Sequence, residues 1–580
     1  MGSYHPILER RRAGVLVPLS ALRSRSDHGI GDLADLRLFV DWAAARGLSL
    51  IQLLPVSPIS PTAPFPYSAY SAFGLDLSFI TLSHVPEVKR SPAAQALLSK
   101  LEKDGTLNRL RQAPRLVYEE IYNLKVSVLT AAFHSFMEEK ADHERRQQWA
   151  HFIDKEKAWL EPFALFTALK NHYGWRTSWT SWPEAIKNPD ALMWPTLLRQ
   201  ETHGVKLAQY IQWIAHEQWE AVHTYARSKG IAFMGDMPIY VGGDSADVWA
   251  SRQEFDLEGD GGAPPDYFAW LGQNWAAPLY DWNKMKADGF RWWKLRVRYN
   301  ARLFDALRFD HFRGVSEYWR IPRHPAIAEE IRREVPVGTP WAAKEYEKVS
   351  WFWPIKFQFQ FRERMSFEEW QKLTDAERYD VLKHVNAEWI KGPGEDFVHA
   401  LLEVSTRESG TSWAVEDLGA DMDDVFALRD KTGLAGMRVA QFFGYDEKGR
   451  ANPHVNPAAW PENSLALADT HDLPPLREWA ETLTFEERCR IVNVYGLAPE
   501  IAHSIDTFEQ AVWDKLFYSP SRLLIFSLQT YLGLGKGHRT NLPGTVGDHN
   551  WTWRMPMDLE ILGPIPRLEH LIQSSDRRPV

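Results

Sequence analysis

Apolar runs alternate with helical periodicities along most of the chain. Gly14 to Leu19 is an unbroken apolar stretch that reads as a strand. From Asp32, apolar residues recur at Leu33, Leu36, Phe39, Val40 and Ala43, one face of a helix that Gly47 ends. Ser49 to Leu54 is a second strand, closed by Pro55. Its length and that of the helix before it suit a parallel crossover, and a strand apolar on both faces fits a covered parallel sheet. From about 85 to 205 the pattern turns helical, with Leu97, Leu98 and Leu101, then Trp159, Phe163, Phe166 and Leu169 at helical spacing. A helix from Tyr210 to Lys229 stops at Gly230 and feeds a strand, Ile231 to Met234; another, Phe290 to Phe304, feeds the strand Ala306 to Phe309. Residues 324 to 390 read mostly as helix. Strands resume at Ser412 to Val415, Met437 to Phe442 and Ser464 to Ala468, and Ser521 to Tyr531 reads as a helix.

Strands separated by helices predict an α/β fold with a parallel sheet. Seven such strands in 580 residues favour a (β/α)8 TIM barrel with one strand unrecognised and with helical insertion subdomains. A doubly wound open sheet is the alternative. The segments expected are 1–84 (barrel start), 85–205 (helical insertion), 206–323 (barrel middle), 324–390 (mostly helical insertion) and 391–580 (barrel end).

Composition narrows the function. Hydrophobic residues are 44% and charged residues 25%, which excludes disorder and coiled coil. The net charge of −9 comes with no basic stripe, so no nucleic-acid partner is expected. No run of 18 apolar residues appears, so no membrane span is expected. A lone cysteine, Cys489, and an N-terminal stretch without an apolar core point to the cytoplasm. The aromatic content, with 27 Trp, 19 Tyr and 29 Phe, is what changes the picture.

Acids follow the strands. Asp236 follows Ile231 to Gly235, Asp310 follows Ala306 to Phe309, Glu416 and Asp417 follow Trp413 to Val415, and Asp469, His471 and Asp472 follow Leu465 to Ala468. One acid in such a place is an ordinary helix cap. Four acid-bearing strand ends would converge on one barrel mouth. Clustered carboxylates suit glycoside cleavage or divalent-metal catalysis. Flat aromatic rings fit the C–H faces of sugars, which favours the first. Tyr67, Tyr70, Tyr267 and Trp275, in Gly/Pro-rich segments, are the candidate stacking rings. Asp256, Glu258, Asp260 and Gly261 echo a calcium loop but lack its closing Glu and read as a polar turn; the glycines at 533, 535 and 537 read as a helix stop.

Several motifs carry a resemblance: HGIGDL (His28 to Leu33), LIQLLPVSP (Leu50 to Pro58), PYSAYSAF (Pro66 to Phe73), GDMPIYVGGDSADVW (Gly235 to Trp249), GAPPDYFAWLGQNWAAPLYDW (Gly262 to Trp282), LRFDHFRG (Leu307 to Gly314), AVEDLG (Ala414 to Gly419), THDLPPL (Thr470 to Leu476) and NLPGTVGDHNWTWR (Asn541 to Arg554). In this order, and over nearly the whole chain, they are similar to the 4-α-glucanotransferases of the amylomaltase type, glycoside hydrolase family 77. The resemblance implies that Asp310 is the nucleophile, Glu416 the acid/base and Asp472 a third, stabilising carboxylate. It implies substrate-binding places for Tyr67, Asp236, Asp266, Gln273, Trp275, Arg308, His311 and His471. It also implies maltodextrin donors and acceptors, and neither cofactor nor metal. Arg308 is expected to lower the Asp310 pKa, and burial or a neighbouring charge to raise that of Glu416. A hydrolase of the same chemistry and a non-catalytic glucan-binding protein are the alternatives. The stretch Pro322 to Lys391 departs from shorter family members and carries Trp341, Trp351, Trp353, Trp370 and Trp389. Those rings are either core of a helical hairpin or stacking surfaces for an acceptor. Thr530 stands where an Asp is expected.

Overall fold

The computed structural model describes residues 6–138, 143–264, 272–323, 366–374, 377–378, 387–419, 422–442, 455–545 and 547–578. Among them the strands, in chain order, are β1 (Arg12–Val17), β2 (Leu50–Leu53), β3 (Ala232–Met237), β4 (Phe255–Ala263), β5 (Gln273–Tyr280), β6 (Ala306–Phe309), β7 (Glu317–Pro322), β8 (Glu388–Lys391), β9 (Ser412–Val415), β10 (Ala435–Val439), β11 (Ser464–Leu467) and β12 (Leu523–Ser527). Eight of them close a parallel barrel in the order β1-β12-β11-β10-β9-β6-β3-β2. The fold is therefore a (β/α)8 barrel. Helices precede or follow the strands; Leu33–Ala45 joins β1 to β2, and Arg291–Leu303 leads into β6. The first starts at Asp32, whose carboxylate accepts from Ala34 N–H at 2.9 Å while Asp35 reciprocates to Asp32 N–H, so HGIGDL ends in a capping box.

The alternation of strand side chains builds the site. Met234, Ala306, Ala414, Leu465 and Ile525 form one apolar cluster inside the barrel. Two residues further along the same strands, the inward positions are Asp236, Arg308, Glu416, Leu467 and Ser527. The lower part of the barrel is thus dry and its C-terminal rim polar. Ile7 and Leu8 join the apolar cluster, with Ile7 N–H donating to Ser412 Oγ at 3.2 Å.

Between Pro86 and Ser228 the described chain is largely helical. The long helices His143–Tyr173 and Thr202–Ser228 pack along each other, and the second runs straight through residue 205. Tyr70 is core here, not a mouth residue: it is 5% exposed and stacks on Phe163.

Two predicted elements are corrected. Ser521 to Tyr531 is not a helix but strand β12 followed by one helical turn, Leu528–Tyr531. Its apolar run is fully buried, and buried strands and buried helices share that signature. The polar turn at Asp256 to Gly261 is strand β4, part of an antiparallel sheet ordered β5-β4-β7-β8. Glycine hid that strand, yet the pairing needs it: a Cβ on Gly262 would lie 2.2 Å from Gln273 O. In the 324 to 390 segment the described residues form helix Phe367–Lys372 and strand β8. Trp370 is buried and Trp389 packs on Trp319; Trp341, Trp351 and Trp353 lie outside the described residues.

Candidate active site

Arg308 is the hub of the barrel mouth. Its Nη1 donates to both oxygens of Asp236, at 2.6 and 2.7 Å, and lies 3.0 Å from Asp310 Oδ1. Its Nη2 donates to Glu416 Oε2 at 2.9 Å. Glu416 Oε2 also accepts from the backbone N–H of His311 at 2.8 Å. His311 reaches it from the left-handed region, at φ 49°, a conformation side-chain-bearing residues rarely hold outside functional sites. Arg308 thus holds the carboxyls of Asp310 and Glu416 side by side on the two terminal nitrogens of one guanidinium.

Exposure separates the acids. The Asp236 side chain is fully covered, whereas those of Asp310, Glu416 and Asp472 are 21%, 24% and 41% exposed. Three carboxylates can therefore meet a substrate. Asp236 and Arg308, expected among the substrate-binding residues, sit beneath them and hold them in place. Tyr67 caps this base, donating to Asp236 Oδ2 at 2.8 Å and stacking on His471 with centroids 5.0 Å apart.

Asp472 is gripped from the C-terminal segment. Asn541 Nδ2 donates to its Oδ1 at 2.6 Å, Arg539 Nη2 donates to its carbonyl at 3.0 Å, and Asn541 N–H donates to His471 O at 3.1 Å. His471 Nε2 lies 3.4 Å from Asp472 Oδ2. Across the mouth, Trp275 on β5 packs edge-on against His311, and its Nε1 donates to Gln273 at 3.1 Å. Asp266 lies outside the described residues.

The protonation pattern corrects the expectation for Asp310 and Glu416. Burial, together with the neighbouring charges of Glu416 and Asp236, pushes the Asp310 carboxyl well above the usual range despite Arg308. Burial would also raise Glu416, but Arg308 and the His311 N–H outweigh it and leave Glu416 below its ordinary value. Glu416 has two donors to itself, while Asp310 shares a single Arg308 nitrogen with Asp236. Partial desolvation at the mouth would raise Asp472, yet His471, Asn541 and Arg308 hold it at about 2. His311 is pushed down to about 4 by burial and stays neutral.

The other strand-end acids are structural. Asp417 is fully covered, paired with Arg429 and Arg438, and accepts from Met437 N–H at 2.7 Å. Asp469 accepts from Ser527 N–H at 3.0 Å and from Thr530 Oγ1 at 2.7 Å. Thr530 thus supplies a hydroxyl to an acid where an Asp would have brought a second charge. Asn541, Arg539 and Trp551 were missed as site residues. Asn541 and Trp551 lie inside NLPGTVGDHNWTWR, but a partner 69 residues away leaves no local signal.

A family model for 4-alpha-glucanotransferase matches residues 17–559. The chain is 31% identical to the chloroplastic/amyloplastic 4-alpha-glucanotransferase of Solanum tuberosum, over 94% of this chain and 83% of that one. It is also 31% identical to the 4-alpha-glucanotransferase of Aquifex aeolicus (strain VF5), over 94% and 96%. The chain belongs to the 4-α-glucanotransferase family. It is accordingly a glycosyl-transferring enzyme. The 4-α-glucanotransferase fold recurs in a solved amylomaltase from Streptococcus agalactiae in complex with acarbose, with TM-score 0.74 and 24% identity over 98% of this chain and 100% of that one. It recurs also in an amylomaltase from Corynebacterium glutamicum, with TM-score 0.73 and 18% identity over 99% and 77%.

Proposed function

We propose that this enzyme moves α-1,4-glucan segments from a donor maltodextrin to the 4-hydroxyl of an acceptor glucan or glucose, with retention, by double displacement on Asp310. The observation that carries this is the pairing of Asp310 with Glu416: both reachable from the mouth, and both held on the two terminal nitrogens of Arg308, at 3.0 and 2.9 Å. Inverting enzymes hold their carboxyls roughly 6.5–9.5 Å apart to admit a water, and retaining ones ~5–5.5 Å. Two carboxyls held on adjacent nitrogens of one guanidinium fit the closer, retaining spacing.

In the first step the Asp310 carboxylate attacks the anomeric carbon while Glu416 gives its proton to the departing O4. The bond from C1 to O4 breaks and a glycosyl ester forms on Asp310. In the second step Glu416 takes the proton of an acceptor 4-hydroxyl, whose oxygen attacks C1 and releases Asp310. Asp472, ionised across the working pH range, faces the positive charge that develops on the sugar. The first step needs Asp310 ionised and Glu416 protonated, so substrate binding must favour that arrangement of charge over the one the empty site favours. Once ionised, Asp310 keeps Arg308 as its partner. Tyr67 and His471 serve the reacting glucose, and Gln273, Trp275, His311 and Asp266 the glucan on either side.

Maltotriose alone tests the reading. The expected products are glucose together with maltodextrins longer than the substrate; glucose and maltose alone would refute transfer. A cytoplasmic location belongs to the same reading, supported by the lone Cys489. Among the described residues no helix is long and apolar enough to cross a membrane.

A further inference from the structure

Phe65 is one of few large apolar side chains left open to solvent, at 38% exposure, and it sits at the catalytic mouth. Its ring centroid is 5.3 Å from that of Trp551 and 6.2 Å from that of Tyr67. Trp551 in turn lies 5.4 Å from Tyr67 and 5.8 Å from His471. Rings therefore run without a break from solvent to the side chains that touch Asp236 and Asp472.

Two backbone features hold this strip in place. Phe65 stands between Pro64 and Pro66. Pro66 restricts the Phe65 backbone and Pro64 fixes its own φ just before it, so little freedom remains to be lost when a ligand covers the ring. Its N–H donates to Ala63 O at 2.9 Å and its carbonyl accepts from Ser68 N–H at 3.0 Å, so the segment is tied to itself. Trp551 has φ 63°, a left-handed conformation that a bulky residue adopts only under constraint. Its N–H donates to Thr540 O at 2.8 Å, which locks the bend. A second exposed apolar side chain, Leu542 at 39%, follows Asn541, and its N–H donates to Asn550 next to Trp551.

We propose that Phe65 and Trp551 form a glucan-stacking subsite that takes the α-1,4-linked glucose unit adjoining the one in the catalytic mouth. The chemistry fits: a pyranose presents an apolar C–H face that a flat ring covers, while its hydroxyls stay in water around the rim. Continuity with Tyr67 and His471 sets the occupant, because a chain entering this mouth passes over Phe65. The subsite rests on the glucan reading given above.

The test is calorimetric binding of maltoheptaose to the Asp310→Asn enzyme, which holds donor without turning it over. Adding Phe65→Ala is expected to raise Kd about fivefold, the worth of one ring contact. Phe65→Leu, apolar but not flat, weakens binding comparably, and Phe65→Trp restores it to within about twofold. Two results overturn the subsite: unchanged Kd in Phe65→Ala, or Phe65→Leu binding as well as Phe65→Trp. If the Asp310→Asn parent itself fails to bind maltoheptaose, the glucan reading falls and the subsite with it.

Discussion

Asp236→Asn removes one charge from the base of the site while keeping the shape of the side chain. Asp236 gives both oxygens to Arg308 Nη1 at 2.6 and 2.7 Å and accepts from Tyr67 at 2.8 Å, all without solvent access. Asn leaves one oxygen for Arg308 and turns its NH2 either toward the guanidinium, donor against donor, or toward the Tyr67 hydroxyl, which must then give up donating and accept instead. A charge-assisted hydrogen bond contributes about 1.5–3 kcal/mol, and breaking a buried ion pair costs about 3–5 kcal/mol. The isosteric change belongs at the low end, offset by weaker repulsion of Asp310 and Glu416, so a loss of about 2 kcal/mol is expected. Arg308 then loses its anchor, and misplacement of the reacting carboxylates lowers kcat on maltotriose roughly 100-fold. The pH profile moves as well. The Asp236 charge is one of the causes that raise Asp310, so a neutral Asn lowers that proton affinity and shifts the acid limb of kcat/KM to lower pH. Denaturation midpoints and the pH–rate profile read both effects. Wild-type stability with an unshifted acid limb would refute the anchoring role of Asp236.

Other perturbations probe the rest of the account. Thr530→Val strips a donor from Asp469 and the acceptor that Leu476 N–H uses at 2.8 Å, so stability at pH 7 should fall by about 2 kcal/mol by chemical denaturation. Asp469 is raised to about 6 by burial, above its unfolded ~3.9; the folded state binds the extra proton, so this group favours folding as pH falls from about 7 toward 4, and Thr530→Val should steepen that slope. Arg577 donates to the carbonyls of Phe517, Arg12, Arg522, Ser519 and Ser521 from a fully buried position at the β1–β12 seam. Arg577→Ala should cost about 3–5 kcal/mol, and Arg577→Lys should fail to rescue it, since an ammonium lacks the fork. Asp472, held at about 2, should contribute no limb to the rate profile above pH 4; Asp472→Asn should abolish turnover and leave maltodextrin binding measurable by calorimetry.

Legibility in the sequence followed the physics of each signal. The barrel was readable because its strands are buried on both faces and most of those recognised are separated by helical periodicity. The acids at their ends were readable because a period of two carries Ala306, Arg308 and Asp310 to one side. β12 was not, because LLIFS followed by LQTY is apolar throughout and admits either period. β4 was not, because Gly259, Gly261 and Gly262 look like a turn until Arg320, Tyr240 and Gln273 are seen pressed against them. Asn541 and Trp551 act through partners distant in sequence, and no local pattern marks such contacts. The opposite pKa directions of Asp310 and Glu416 depend on how Arg308 and the His311 N–H divide between two carboxyls, a matter of ångströms that residue types do not encode.

A covalent glycosyl-enzyme on Asp310 is the central claim, and intact mass measurement tests it most directly. Glu416→Gln enzyme mixed with an α-maltosyl donor whose leaving group needs no protonation forms the ester but cannot complete transfer at a normal rate. The account predicts a mass increase of one maltosyl unit, localised by proteolysis to the peptide carrying Asp310 and absent in the Asp310→Asn, Glu416→Gln double variant. Consumption of the donor with inverted product and no adduct on Asp310 would contradict it.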